Sequence, residues 1–109
     1  MKAVKIEELI EATYNPDSKE RKAATRELCP CEIKAYIPEM WDRLLELADD
    51  PDDDVRRIVL HTLIDGSPKQ REQDIVASIE KCQRDRNVKI SRQAKTIYAR
   101  YRRTGRINQ

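Results

Sequence analysis

The sequence predicts an all-α fold: three helix-turn-helix repeats, six helices in all, stacked as a short α-solenoid. Three observations carry this. Turn residues and apolar residues recur together every 35 positions. Between the turns, apolar residues fall at helical spacing. Two glycines and no phenylalanine in 109 residues argue against a β-sandwich or barrel. A fixed period of about 20–50 residues is the mark of repeat architectures, in which each unit completes its core only against its neighbours.

The register runs through both turn and core. Asn15, Asp50 and Asp85 occupy one position of the repeat, Asp17, Asp52 and Asn87 another; Pro16 matches Pro51 and Arg21 matches Arg56. Upstream, Ile6, Trp41 and Val76 align, as do Leu9, Leu44 and Ile79, and Ala12, Leu47 and Cys82. Downstream, Ala24, Val59 and Ala94 align, then Leu28, Leu63 and Tyr98. The repeats cover about 3–28, 37–64 and 68–103, with a tail at 104–109.

Each element has a local reason. Residues 3–13 form a helix, with Ile6, Leu9, Ile10 and Thr13 on one side and Glu7, Glu8 and Glu11 on the other. Asn15-Pro16 stops it, because proline disfavours the α conformation at the preceding residue. Asp17 and Glu20 fit a capping box opening a helix at 18–28. That helix buries little beyond Ala24 and Leu28, as expected of an end repeat. Glu32 to Tyr36 suit one extra helical turn. Pro38 opens the helix at 38–48, since its missing N–H costs nothing in a first turn. Asp50-Pro51 ends it, and the acids after Pro51 favour the positive end of the helix at 53–64. Gly66 suits a left-handed stop. Ser67, Pro68 and Gln70 read as a capping box for a helix at 68–83. Ile90, Ala94, Ile97, Tyr98 and Tyr101 make the apolar stripe of the last helix, 88–103, which Gly105 ends.

An Asp-Pro turn followed by Val55 and Arg56 entering a second helix, in a unit of this length, resembles the HEAT repeat over residues 3–103, most specifically from Asp50 to Leu63; the armadillo repeat is a close neighbour. The resemblance implies a right-handed array with the second helices on the concave side. It also implies a ladder between repeats, built from the turn aspartate and the basic residue six positions on. Asp50, Pro51 and Arg56 match that motif. Repeat one has Asn15 with Arg21 and repeat three has Asp85 with Ser91, so the expected ladder is partial.

Length suits one domain able to bury a core without staples. Three cysteines, an odd number, fit a reducing, cytoplasmic setting, and no run of residues is apolar enough for a membrane span. Cys29-Pro30-Cys31 is too closely spaced for the common zinc pattern, and the single histidine, His61, leaves no fourth ligand even with Cys82. No metal, disulfide or cofactor is therefore expected. Trp41, whose counterparts are Ile6 and Val76, reads as core rather than as a stacking platform. His61 has no companion motif that would make it a general base.

Charge is the one functional signal. Residues 81–109 hold ten basic side chains against Asp85 alone, a net of +9, which leaves −7 for residues 1–80 of a chain whose total is +2. Lys89, Arg92, Arg100 and Arg103 fall near one face of the last helix, all expected to be open to solvent or a partner. The expected role is a non-catalytic, monomeric protein-interaction module whose ligand is an acidic protein. The alternatives are binding of a nucleic-acid phosphate backbone and, because HEAT-like proteins include lyases, an enzyme or enzyme-accessory role. The hydroxylases that resemble HEAT arrays rely on His-Glu pairs, which one histidine does not supply.

Overall fold

The computed structural model describes residues 2–28, 35–65 and 67–107 and is all-α, with no strand among them. Six helices follow in order: α1 (Lys2–Ala12), α2 (Ser18–Glu27), α3 (Pro38–Leu47), α4 (Asp53–Ile64), α5 (Glu72–Cys82) and α6 (Val88–Thr104). They pair as three hairpins, α1 with α2, α3 with α4 and α5 with α6. Across the first seam α1 packs on α3 and α2 on α4; across the second, α3 packs on α5 and α4 on α6. The hairpins thus lie side by side in two rows. The body measures 40 × 28 × 17 Å, and its thinnest dimension holds two helix layers with axes about 10 Å apart.

The 35-residue register is the register of the core. Trp41, Leu44, Leu47, Val59, Leu63, Ile79, Ala94 and Leu28 are buried together with Ile6 and Cys82. The middle hairpin is buried most completely because it has a neighbour on each side. In α4, Val55, Val59, Leu60 and Leu63 are fully enclosed, and only the line Asp53, Arg57, His61 is exposed. A helix buried nearly all round needs apolar residues nearly all round. Its threonine satisfies itself: Thr62 Oγ1 donates to the Ile58 carbonyl at 3.0 Å. Trp41 is core, 2 % exposed, and His61 lies on the surface.

Local chemistry sets the boundaries, with three departures from expectation. The Asp17/Glu20 capping box is not formed: Asp17 caps Lys19 N–H at 3.0 Å, but its own N–H goes to Asn15 Oδ1 at 2.8 Å. The Asn-Pro turn supplies that acceptor two residues earlier, leaving Glu20 nothing to cap. The helix expected at 68–83 begins as a 3₁₀ turn, Lys69–Arg71, and becomes α-helical at Glu72, whose N-cap Arg71 makes no side-chain cap. Ser67 does not cap α5, because its hydroxyl donates back to the Leu63 carbonyl at the end of α4. The expected tail at 104–109 is anchored. Gly105, at φ 73°, takes the left-handed cap with its N–H on the Tyr101 carbonyl at 2.7 Å, and Ile107 then turns into the core, 4 % exposed. An apolar residue beyond a glycine C-cap commonly packs back on the helix in this way. The expected extra turn at Glu32–Tyr36, the Gly66 stop and the pair Cys29 and Cys31 lie outside the described residues, apart from Ala35 and Tyr36, which are not helical.

Leu63→Ala is expected to cost about 2–5 kcal/mol of unfolding free energy and Val59→Ala about 1–4 kcal/mol, while His61→Ala stays within about 0.5 kcal/mol. Urea denaturation checks this. A Leu63→Ala midpoint equal to wild type would contradict the packing register.

Candidate functional site

The three turns are one device made three times. In each, the first side chain accepts from the backbone N–H two residues on: Asn15 from Asp17, Asp50 from Asp52, Asp85 from Asn87, all at 2.8 Å. That second residue then caps the following helix: Asp17 accepts from Lys19 N–H, Asp52 from Asp54 and Val55 N–H, Asn87 from Lys89 and Ile90 N–H. Asparagine and aspartate serve equally here, since each step needs only one side-chain oxygen. Burial raises the Asp52 pKa, but the Asp54 N–H, the Ser18 side chain, the Val55 N–H and the Lys22 charge together hold it below the usual carboxylate value.

The arginines turn these devices into a ladder. Arg21 forks onto Asp50 of the next hairpin, Nε to Oδ2 at 3.0 Å and Nη2 to Oδ1 at 3.1 Å. Arg56 forks onto Asp85 in the same way, at 2.9 and 3.2 Å. Each also donates through Nη1 to its own turn: Arg21 to the Asn15 and Pro16 carbonyls, Arg56 to the Asp50 and Pro51 carbonyls. The ladder expected to be partial therefore closes at both seams. Its arrow runs from the arginine of one hairpin to the aspartate of the next. Asn15 and Ser91 occupy the two positions that face no counterpart within this chain. Ser91 instead donates to the Gln83 carbonyl at 2.7 Å.

Burial gives these pairs weight. The side chains of Arg56 and Asp85 are 6 % and 8 % exposed, those of Arg21 and Asp50 13 % and 5 %. Hydrogen bonding to Asp85 raises the Arg56 pKa against the opposing effect of burial. For Asp85, burial pushes the pKa up, but the Arg56 hydrogen bonds, the Asn87 N–H and the Arg56 charge outweigh it and hold the group below the usual carboxylate range.

The basic face of α6 is the second feature. Lys89, Arg92 and Arg103 are exposed within an arc of about 60° along about 21 Å of helix. Lys95 and Arg102, not singled out from sequence, widen the same surface, and Arg106 is exposed just beyond the Gly105 cap. Arg100, expected to be free, is half-buried and engaged within the chain, so it does not belong to the open face. Its position, between the apolar stripe and the outer arc, accounts for the difference. No acid follows Asp85, and among the described residues none of these exposed cations has a carboxylate partner.

A groove of about 940 Å³ between α3 and α5 is the third. Arg71 bridges it near one end, bonded to Asp42 at 2.7 Å and to Asp74 at 3.2 Å, and Lys81 bridges it near the other, to Asp49 at 2.7 Å. A hydrogen bond with Tyr36, outweighing burial, and the two carboxylates hold the Arg71 pKa above its ordinary value. Cys82 at the groove edge is a buried, unbridged thiol that burial, helped by Asp85 and Asp49, pushes up to about 11. That makes it a poor nucleophile.

The chain has no significant match among family models, curated proteins or solved structures. Chemistry must therefore be read from the side chains. The carboxylates of Asp52, Asp53 and Asp54 lie within 4.8 Å of one another. Internal donors already use them: Asp52 caps α4, Asn87 donates to Asp53 at 2.7 Å, and Lys22 and Arg57 pair with Asp54. They serve the turn. No helix among the described residues is long and apolar enough to cross a membrane.

Asp85→Asn keeps the turn acceptor, as Asn15 shows, but removes the charge facing Arg56. It is expected to cost about 2–4 kcal/mol. Asn15→Asp, whose new charge faces no arginine of another hairpin, should change stability by less than about 0.5 kcal/mol. Because the folded pKa of Asp85 is depressed, its contribution is complete above the unfolded value of about 3.9 and is lost as pH falls through the folded value. Denaturation from pH 7 to 2 should therefore show a smaller acid loss in Asp85→Asn than in wild type.

Proposed function

We propose that the chain is a HEAT-like helical-repeat module, a short right-handed α-solenoid, whose role is to bind an acidic protein surface through the outer face of α6. The fold part of this reading is supported by three hairpins in two rows, linked turn to turn by forked Arg-Asp pairs, with the 35-residue period underneath. The functional part rests on one observation. Cations through the rest of the array are largely spoken for, as in Lys5–Glu27, Lys22–Asp54, Arg43–Glu46 and Arg71–Asp42, whereas Lys89, Arg92, Lys95, Arg102 and Arg103 stand exposed without an acid. A one-signed patch of this kind steers an oppositely charged partner and raises its association rate. The module needs no catalytic group for this, and its rigid helices hold the charges at fixed spacing.

A protein partner is favoured over nucleic acid by the remainder of the molecule. Residues 1–80 carry −7, and a long polyanion lying on α6 would extend over the acidic hairpins beside it. A compact acidic protein surface avoids that repulsion.

Titration with a labelled Glu/Asp-rich peptide, and with labelled duplex and single-stranded oligonucleotides, at low and physiological salt tests the reading. The peptide should remain bound at physiological salt and the oligonucleotides should be released. Arg92→Glu with Arg103→Glu should weaken peptide binding on the order of tenfold with no change in melting temperature, because both side chains are exposed. Oligonucleotide binding that persists at physiological salt and disappears in that variant would replace the proposal with phosphate-backbone recognition.

A further inference from the structure

The two seams between hairpins share the forked Arg-Asp pair and differ at the end of the first helix of each hairpin. In the α1–α3 seam, Arg43 of α3 reaches across to the C-terminal end of α1. Its Nε donates to Thr13 Oγ1 at 2.8 Å and its Nη2 to the Thr13 carbonyl at 3.0 Å. Its guanidinium lies 3.6 Å from the centroid of the Tyr14 ring and pairs with Glu46 at 2.9 Å. This seam is closed by the protein's own arginine.

One repeat later the positions of Arg43, Thr13 and Tyr14 are held by Ser78, Ala48 and Asp49. The backbone turn is the same: Tyr14 and Asn15 N–H bond the Glu11 and Ala12 carbonyls, and Asp49 and Asp50 N–H bond those of Glu46 and Leu47. The filling side chain is missing, and the groove between α3 and α5 opens there, with Leu45, Ala48, Asp49 and Ser78 in its wall. The carbonyl at this position is capped in the other two repeats, Thr13 by Arg43 and Gln83 by the Ser91 hydroxyl. No side chain of the described residues donates to the Ala48 carbonyl. Asp49 adds a carboxylate, 62 % exposed, where Tyr14 offers a ring face, and both attract a guanidinium; Asp49 pairs with Lys81 at 2.7 Å, but a pair this exposed is weak and leaves the second carboxylate oxygen for a guanidinium.

We propose that the α3–α5 groove is a receptor for an arginine side chain presented by a partner polypeptide. The guanidinium occupies the place that Arg43 takes in the neighbouring seam, donating to the Ala48 carbonyl and the Asp49 carboxylate, with its methylenes against Leu45. Arginine is selected over lysine because a planar fork reaches a carbonyl and a carboxylate together, whereas an ammonium acts as a point charge. The site is separate from α6, takes a ligand of opposite charge, and does not depend on the role given to α6 above.

The test is an NMR titration of the full chain with a blocked arginine peptide and with its lysine and citrulline versions. Amide shifts are expected at Ala48, Asp49 and Ser78, with citrulline binding at least about tenfold weaker through loss of the charged fork. Ser78→Arg supplies the missing side chain, so it should raise the melting temperature and abolish the shifts while leaving α6 binding intact. Asp49→Asn, at an exposed position, provides a second variant that folds, and it should weaken arginine-peptide binding several-fold. Shifts centred on Asp52–Asp54 instead, equal binding of citrulline, or undiminished binding by folded Ser78→Arg would each overturn the proposal.

Discussion

A guanidinium taken from water into the seam between two packed hairpins is stable only if nearly all of its N–H groups find acceptors there. Arg21 and Arg56 meet that condition with the same four acceptor groups: both oxygens of the next hairpin's aspartate and two carbonyls of their own turn. The requirement fixes much else. It demands a turn whose carbonyls converge, which the Asn-Pro and Asp-Pro sequences provide. It demands that neighbouring turns stand in register, which the 35-residue period provides. Each aspartate must also be held by its own turn before it meets the arginine, and the Asp52 and Asn87 N–H groups do this. The apolar core supplies most of the driving force, but it is non-directional. The forked pairs specify which hairpin lies against which, and at what height.

The ladder also accounts for the residues that break the repeat. Asn15 keeps the oxygen its turn needs and gives up a charge that no arginine of the chain would meet. Ser91 stands where the other two repeats have an arginine and caps the Gln83 carbonyl instead. A charge without a partner is costly in proportion to its burial, and Asn15 and Ser91 are only half-buried, so the neutral residues there follow from what each side chain bonds and not from a penalty on charge. The same reasoning explains why α6 can be so basic. Its cations stand on an outer face, in water, where they need no partner to be tolerated and so remain available to one.

The periodic part of this structure was legible in the sequence. The alignment of Trp41 with Ile6 and Val76, and of Leu63 with Leu28, depends on hydrophobic spacing, which burial enforces, and the six helices fall within a few residues of their expected limits. What escaped was aperiodic or directional. Within single turns the acid and base are incomplete at both ends of the array; the pairing runs between hairpins, Arg21 with Asp50 and Arg56 with Asp85, which residue identities at one position of the repeat do not encode. Arg43 carries no periodic signal, because its counterparts are Glu8 and Ser78. Ile107 lies in the stretch expected to be a tail, although an isoleucine two residues after a glycine stop is a signal for packing back. Arg100 sits at the margin of the apolar stripe, where spacing alone does not decide between water and protein.

The central claim is that charge-paired forks, and not apolar contact alone, join the hairpins. A double-mutant cycle on Arg56 and Asp85 tests it most directly. Stability would be measured by urea denaturation at neutral pH for wild type, Arg56→Ala, Asp85→Ala and the double variant. The account predicts that the double variant loses less than the sum of the two singles, with a coupling of about 1–3 kcal/mol, because each single change strands a buried charge and the double removes both. Losses that add to within about 0.5 kcal/mol would contradict it and leave the seams to the apolar core alone.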